Sequence, residues 1–272
     1  MITYIDQIGR KLISKIEYAV RVLLMTYLSI RATFFDQAQG LRIIIGEVSA
    51  QIYFTGWQAI PLISVLALAS GFITILQSSS ELSLLGGSAM IGNLLVVIIV
   101  REIGPLLTTL VVIARSGTAV AIEIGNMRAN HEIEALESLG INPLSFIMFP
   151  RIIGGIISVV CLCFYFVVIA LIGGFFLARI IDEISLNFYL DSLVRALTIE
   201  DMFLFLMKTI VSGTIIFSIS CYQGLAVKRS HHEVPQVTTK SVVDSIIVVT
   251  LFNMLVTVLF IYLTIEDIWG RN

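Results

Sequence analysis

Two ionisable residues stand next to each other inside a long apolar run of this sequence. Arg101 and Glu102 follow the aliphatic stretch L-L-V-V-I-I-V, and mostly apolar residues continue to Ala114. Adjacent residues on a helix point about 100° apart, so these two side chains cannot pair well with each other. Charges inside a membrane are costly and normally face a cavity or a partner. The pair therefore predicts a polar lining for a ligand path or, alternatively, structural charges that a neighbouring helix neutralises.

Catalytic motifs are missing from the sequence. It contains no G-x-x-x-x-G-K-[ST] loop to hold phosphates, and neither G-x-S-x-G nor H-E-x-x-H. His231 and His232 have no further ligands at metal-binding spacing. We interpret Cys161, Cys163 and Cys221 as small buried hydrophobic residues. If ATP drives this protein, another chain must bind the nucleotide.

The composition indicates a membrane protein rather than a soluble enzyme. Of 272 residues, 57% are hydrophobic and 13% are charged, whereas a soluble globular domain carries about 25% charged residues. Lys and Arg together number 17 against 19 Asp and Glu, a net charge of −2, which argues against nucleic-acid binding. We therefore predict an all-α membrane protein.

Charge-free stretches predict five transmembrane helices, since a crossing takes about 20 apolar residues. The predicted spans are 58–77, 88–114, 152–178, 203–226 and 245–265. Basic residues alternate between the intervening segments, being frequent before the first span and scarce after the last. By the positive-inside rule the N-terminus is then cytoplasmic and the C-terminus extracytoplasmic. We expect Lys208, early in the fourth span, to extend its ammonium group outward to the interface.

The N-terminal region, residues 1–45, precedes a membrane domain at 46–272. Within it, residues 5–23 repeat aliphatic side chains at helical spacing and place basic ones on the other side. This pattern predicts an amphipathic helix in the cytoplasmic membrane interface; the alternative is a soluble helix packed on a partner. Small residues at four-residue spacing around Gly154 and Gly173 predict close helix packing within the chain.

The segment between the second and third spans is acidic and helical in pattern. From Glu123 to Gly140 it carries four Glu and one Arg, and we predict a cytoplasmic helix at about 121–140. Gly140 suits the position just after a helix end, and Pro143 prevents continuation. Such a helix fits a groove on a cytoplasmic partner; the alternative is an interfacial connector.

The stretch from 101 to 151 resembles the MlaE/YrbE-type permeases of lipid-transporting ABC systems, which work with MCE-domain proteins. The matching pieces are R-E-I-G-P at 101–105, A-R-S-G-T-A at 114–119, E-I-G-N-M-R-A at 123–129, E-A-L-E-S-L-G-I-N-P at 134–143 and P-R at 150–151. Weaker likeness extends over most of the chain and includes Gln77 and T-T-K-S-V-V at 238–243. S-S-S-E at 78–81 has no match in the family pattern, so the outer mouth is carried over by position only.

The resemblance implies five spans with an N-terminal interfacial helix, a homodimer in a bacterial inner membrane and one ABC ATPase docked under each copy. It also implies an MCE-domain lipid-binding protein on the extracytoplasmic side, membrane lipids as partners and no nucleic acid. The permease itself holds no cofactor, since ATP binds to the ATPase. The implied ATPase contacts are Glu123, Met127, Arg128, Glu132 and Leu136. The implied lipid-cavity residues are Gln77, Glu81, Leu82, Leu85, Arg101, Glu102 and Ile103.

The function that the resemblance implies is ATP-driven movement of phospholipid or a related lipid between membranes by a dimeric, non-enzymatic permease. An anionic lipid head would meet Arg101 while the tails lie along apolar walls. Two alternatives stay open: an ATP-independent channel or secondary transporter for a hydrophobic substrate, and an intramembrane lipid-modifying enzyme. For the first, the sequence offers only Arg101, Glu102 and Lys208 as titratable groups; for the second, it offers no His, Cys or Asp cluster.

Overall fold

The computed structural model describes residues 2–35, 41–85, 91–181, 185–228 and 230–269, and the regular structure in these ranges is entirely helical. The α-helices are α1 (Ile2–Phe35), α2 (Leu41–Thr55), α3 (Ile60–Leu85), α4 (Ile91–Leu95), α5 (Gly104–Val112), α6 (Thr118–Ala129), α7 (Glu132–Ser138), α8 (Phe149–Ile181), α9 (Leu186–Ala196), α10 (Ile199–Leu225) and α11 (Val234–Trp269). π-helical segments lie at Val96–Ile103, Ile113–Gly117 and Leu144–Met148, and short 3-10 helices at Trp57–Ala59 and His231–Glu233.

Within the described ranges, five helical stretches are long and apolar enough to cross a membrane. They are Ile44–Ser78, Gly92–Ala129, Leu144–Ile180, Ile199–Leu225 and His231–Thr264. Each predicted span overlaps one of them, so the all-α fold with five membrane helices is confirmed. The helices are longer than the predicted spans because charge-free windows stop at polar residues that the helix includes, such as Arg151 near the start of the third stretch.

The described chain divides into two compact units. The first comprises Met1–Gln51, Gly117–Gly154 and Ile216–Ser245, and the second comprises Ile52–Ser116, Gly155–Ile215 and Ile246–Asn272. The predicted coupling residues belong to the first unit, and Arg101 and Glu102 belong to the second.

In the first unit, polar side chains hold the N-terminal helix in place. α1 continues past the predicted end at residue 23. The Thr26 hydroxyl hydrogen-bonds to Ser218 Oγ at 2.8 Å, and the Ser29 hydroxyl donates to the Leu144 carbonyl at 2.8 Å. An amphipathic helix in a membrane interface turns its apolar face to lipid, and α1 has an outer face of that kind. Its exposed apolar side chains include Leu23, Leu24, Tyr27 and Leu28.

A second polar cluster links α1 to α10 and α11 in the same unit. Gln223 Nε2 donates to the Tyr18 hydroxyl at 2.9 Å and to Asp244 Oδ2 at 3.1 Å. The Tyr18 ring packs edge-on against Tyr222, with centroids 5.2 Å apart, and Lys240 Nζ lies 5.7 Å from its centroid. Burial is the main cause that raises the pKa of the Tyr18 phenol above its ordinary value.

The predicted single helix at 121–140 is wrong, because the chain forms two helices there. α6 ends at Ala129 and α7 begins at Glu132. Between them His131 adopts a left-handed backbone with φ +60°, a conformation that an α-helix cannot contain. We name residues 118–138, which comprise α6, the turn at Asn130–His131 and α7, the elbow.

The predicted end of this region is confirmed. Gly140 has φ +75°, which costs glycine little because it lacks a Cβ. The Gly140 N–H donates to the Glu137 carbonyl and the Ile141 N–H to the Leu136 carbonyl, each at 3.0 Å. This pair of bonds is the Schellman motif that closes a helix C-terminus.

In the second unit, glycines let α3 and α8 touch. A Cβ at Gly71 would overlap the Ala170 carbonyl oxygen, and a Cβ at Gly173 would stand 2.8 Å from Leu68 Cδ2. In the first unit, a Cβ at Gly154 would stand 2.8 Å from Gln51 Cβ. The small residues around Gly154 and Gly173 therefore pack against other parts of this chain, as predicted.

The three cysteines do not share one environment. Cys163 and Cys221 are fully buried, as predicted, whereas Cys161 is exposed. Residues two positions apart on a helix point about 200° apart, so Cys161 and Cys163 of α8 lie on opposite faces. The prediction of burial is therefore wrong for Cys161.

Candidate functional site

Arg101 and Glu102 do not pair with each other, and each has a partner from another helix. Arg101 Nε lies 2.6 Å from Asp201 Oδ1 on α10, and its guanidinium stacks 5.1 Å from the centroid of Phe260 on α11. Asp201 is 0% exposed and the Arg101 side chain 25% exposed. The adjacent charges thus face different neighbours, as their angular separation on a helix requires.

Asp201 also caps the N-terminus of α10. Its Oδ2 accepts from the Thr198 backbone N–H at 3.0 Å and from the Thr198 hydroxyl at 2.8 Å, while the Asp201 N–H lies 3.3 Å from Thr198 Oγ1. This reciprocal arrangement is a capping box with Asp at the third helical position. One carboxylate therefore fixes both the start of a membrane helix and the Arg101 guanidinium.

Glu102 binds Lys208, which corrects the expectation that Lys208 extends outward. Lys208 Nζ donates to Glu102 Oε1 at 2.9 Å, to the Arg101 carbonyl at 2.8 Å and to Thr257 Oγ1 at 2.8 Å, so all three ammonium protons have acceptors. The Thr257 hydroxyl lies 2.9 Å from Glu102 Oε1. Lys208 is 0% exposed because these acceptors replace the water that an outward ammonium would bind.

We name Arg101, Glu102, Asp201, Lys208 and Thr257 the intramembrane charge cluster. Arg101 and Glu102 lie in the π-helical segment Val96–Ile103. At the end of this segment the Gly104 N–H donates to the Ile99 carbonyl. Single π turns inside membrane helices occur frequently at functional sites. The π-helical segment ends just before the Gly104-Pro105 dipeptide.

The remaining predicted cavity residues are less defined. Ile103 is half-buried in the same π turn, and Gln77 lies exposed near the end of α3. Glu81, Leu82 and Leu85 lie outside the residues whose side chains the structure describes. The structure therefore places Arg101, Glu102 and Ile103 together and leaves the outer group untested.

Two of the predicted ATPase contacts in the first unit, Glu123 and Arg128, form ion pairs within the chain. Glu123 binds Arg151 through two hydrogen bonds of 2.6 and 2.7 Å. Arg128 pairs with Glu134 at 3.3 Å. The other predicted contacts also lie in the elbow. Glu132 is exposed, and Met127 and Leu136 are half-buried. Arg151 was missed as a partner because it lies 28 residues from Glu123.

A set of contacts that the sequence did not predict supports the elbow. His231 Nε2 and Asn130 Oδ1 are 3.0 Å apart, and Val227 and Val234 pack against Ala129 in a small apolar core. Val227, His231 and Val234 therefore brace the turn between α6 and α7 inside the first unit.

The comparisons with known proteins identify the family of the chain. A family model described as Permease MlaE matches residues 48–259. This chain belongs to the MlaE permease family. A probable ABC transporter permease protein of Rickettsia felis is 33% identical over 210 residues, which cover 77% of this chain and 81% of the relative.

More distant members match over a similar range. A probable ABC transporter permease protein of Synechocystis is 28% identical over 228 residues, covering 82% of this chain and 87% of the relative. The chloroplastic protein TRIGALACTOSYLDIACYLGLYCEROL 1 of Arabidopsis thaliana is 29% identical over 212 residues, covering 76% of this chain and 61% of the relative. With its five apolar helices, this chain is a multi-pass membrane protein of the ABC permease class.

Proposed function

We propose that this chain is the permease subunit of an ABC transporter that moves phospholipid or a related lipid between membranes. In the proposed assembly, two copies enclose the lipid path and a separate ATPase subunit binds under each. Membership of the MlaE permease family supports this, as does the glycolipid name of the plant relative. We take the intramembrane charge cluster as the observation that carries the proposal: its charges are paired between helices, and ionisable residues within membrane-spanning stretches are by default candidates for a ligand path.

Arg101 is the residue that we propose meets the lipid head. It forms an ion pair with Asp201 through Nε and keeps part of its side chain exposed. Its two terminal nitrogens, Nη1 and Nη2, are therefore the donors that can bind an anionic group. A guanidinium fork suits phosphate because it offers two parallel N–H donors. The Asp201 carboxylate would orient this fork, and the Phe260 ring would support its face.

The experiment is lipid binding by the complex of permease and ATPase. Arg101→Ala is combined with Asp201→Asn, so that no buried charge is left alone. We expect co-purified phospholipid, quantified by mass spectrometry, to fall about tenfold or more, the equivalent of a charge-assisted hydrogen bond. The control Thr198→Ala weakens the α10 cap but keeps both Arg101 and Asp201, and it should keep most of the lipid. Equal lipid in all three proteins would refute the role of Arg101.

The elbow is the proposed contact with the ATPase. Glu132 and Leu136 lie on α7, whose acidic first turn and partly apolar face fit a groove on a soluble partner. We expect Glu132→Lys to lower ATP hydrolysis by the reconstituted complex, whereas Glu266→Lys, at an exposed position near the end of α11, leaves it near the wild-type rate. A permease that copurifies with no ATPase would count against the proposal.

The membrane, the orientation and the remaining partner belong to the same proposal. We place the elbow and the N-terminus in the cytoplasm, the C-terminus outside, and the protein in a bacterial inner membrane with an MCE-domain partner. Cysteines introduced at Glu137 and at Asn187 test this with an impermeant thiol reagent in intact cells. Only the cysteine at 187 should react, and the reverse result would overturn the orientation.

An ATP-independent secondary transporter is the competing function, and the Glu102–Lys208 pair is the observation that favours it. Such a carrier needs a buried titratable pair that exchanges protons with the ligand path. The two functions differ in energy source. The test measures lipid movement in proteoliposomes. Movement that stops when ATP is replaced by a non-hydrolysable nucleotide, and that continues after a proton ionophore is added, supports the ABC permease.

A further inference from the structure

Helix α9 connects the third and fourth membrane-spanning stretches, so it lies at a membrane surface. One face of α9 belongs to the second unit, where Tyr189 and Leu193 are buried. The Tyr189 hydroxyl donates to the Leu171 carbonyl of α8 at 2.9 Å. A Cβ at Gly92 of α4 would overlap the Ser192 carbonyl oxygen. These contacts fix how α9 is rotated about its own axis.

The fixed rotation leaves a second face apolar and exposed. Leu186, Leu190 and Val194 follow at four-residue spacing and are 47%, 49% and 71% exposed. We name these three residues the apolar stripe. Successive members are about 40° apart around a helix, so they form one narrow strip beside the buried face.

A third face of α9 is polar. Asn187, Asp191 and Arg195 each follow one stripe residue along the chain and are exposed. Arg195 Nη2 lies 3.2 Å from Asp191 Oδ2 on this face. A helix with a buried, an apolar and a polar face in this order meets protein, hydrocarbon and water in turn. This is the pattern of a helix lying in a lipid–water interface.

The neighbouring helix ends indicate what covers the stripe. Ile180 near the end of α8 and Ile199 and Phe203 at the start of α10 are 77%, 89% and 71% exposed. These positions belong to the membrane-spanning stretches, whose outward side chains contact acyl chains. The stripe adds to the exposed apolar surface of these flanking helices, which lies in the same unit.

We propose that α9 binds the surface of the lipid bilayer, with the apolar stripe among the upper acyl chains and the Asp191–Arg195 face among headgroups and water. The depth expected for such a helix is about 5–10 Å below the headgroup boundary. This contact is separate from the intramembrane charge cluster and from the ATPase contact. Its failure would leave the proposed function standing.

The test measures the depth of single labelled positions in lipid nanodiscs. Cys161→Ala removes the exposed cysteine, and the other two cysteines are fully buried. Val194→Cys and, as matched control, Asn187→Cys then carry an environment-sensitive fluorophore. We expect lipids with a shallow nitroxide to quench the label at 194 at least twofold more than aqueous iodide does, and the order to reverse at 187.

Two results would overturn the proposal. Equal iodide quenching at both positions would place the stripe in water. Protection of 194 from both quenchers, with a cross-link to a second copy or to another subunit, would mean that protein covers it. If Val194→Cys does not fold, Leu190→Cys replaces it, and near-wild-type melting temperatures qualify the labelled variants.

Discussion

At the scale of single residues, the charge cluster is stable because each buried charge has a partner. Removing one member of a buried pair leaves an uncompensated charge, which costs about 3–5 kcal/mol. The two members of the Glu102–Lys208 pair differ in this respect, since Lys208 is 0% and the Glu102 side chain 42% exposed. A Glu102 left alone can be hydrated, whereas a Lys208 left alone cannot.

This asymmetry gives a prediction about stability. Glu102→Leu should destabilise the permease by about 3–5 kcal/mol, while Lys208→Leu should cost clearly less. Thermal unfolding of the detergent-solubilised protein measures both. The double variant should recover most of the loss, because no charge is then left unpaired; a double variant as unstable as Glu102→Leu would contradict the pairing.

Asp201 is predicted to matter more than its capping partner. Thr198→Ala removes only the cap of α10 and should cost about 1 kcal/mol. Asp201→Ala removes the cap and also strands Arg101, so it should cost about 3 kcal/mol or more. The comparison uses melting temperatures of the two single variants, and equal losses would mean that the Arg101–Asp201 pair adds nothing.

The sequence predicted part of this cluster. The helix geometry of adjacent residues showed that Arg101 and Glu102 need separate partners. The partners Asp201 and Lys208 lie about one hundred residues further along the chain, 100 and 106 positions away, and helix periodicity carries no information about contacts at that separation. The spacing Thr198-x-x-Asp201 fits a capping box and would have predicted that α10 begins at Ile199.

At the scale of elements, the elbow depends on one backbone conformation. His131 holds φ +60°, which is costly for residues with a Cβ and worst for β-branched ones. The acidic pattern of residues 123–140 fits one continuous helix, which is why the turn was not predicted. The bracing residues Val227 and Val234 lie far away in sequence, so only the folded chain shows them.

The elbow prediction uses two substitutions at one position. His131→Gly should keep or slightly raise the melting temperature, since glycine adopts positive φ without steric cost. His131→Val should lower stability by about 1–3 kcal/mol and reduce ATP hydrolysis by the complex, because α7 is then misdirected. Similar behaviour of both variants would show that the turn does not depend on this backbone angle.

The contact of α3 with α8 gives a further prediction with a control in the same chain. Gly71→Ala should cost about 1–3 kcal/mol, because the new methyl group meets the Ala170 backbone and the helices must move apart. A Cβ at Gly46 would meet no atom within 4 Å. Gly46→Ala should therefore stabilise α2 by about 0.5–1 kcal/mol. The measurement is the free energy of unfolding of both variants in the same detergent. A Gly71→Ala variant as stable as the wild type would refute the close contact.

At the scale of the whole molecule, composition and apolar runs were sufficient for the fold class. Five apolar stretches of about 20 residues or more fit a bilayer as helices, because a helix of that length crosses it and hydrogen-bonds its own backbone groups. Family membership then assigns the chain to the permeases. What composition cannot supply is the energy source and the lipid, which depend on a partner chain and on side chains that meet in space.

The most direct test is lipid transfer by the permease reconstituted with its ATPase in proteoliposomes. Fluorescent phospholipid should leave the vesicles only when ATP is hydrolysed, and the Arg101→Ala/Asp201→Asn variant should abolish transfer while the ATPase stays bound. Lipid transfer that proceeds at the same rate without ATP, or in the absence of any ATPase subunit, would contradict the account.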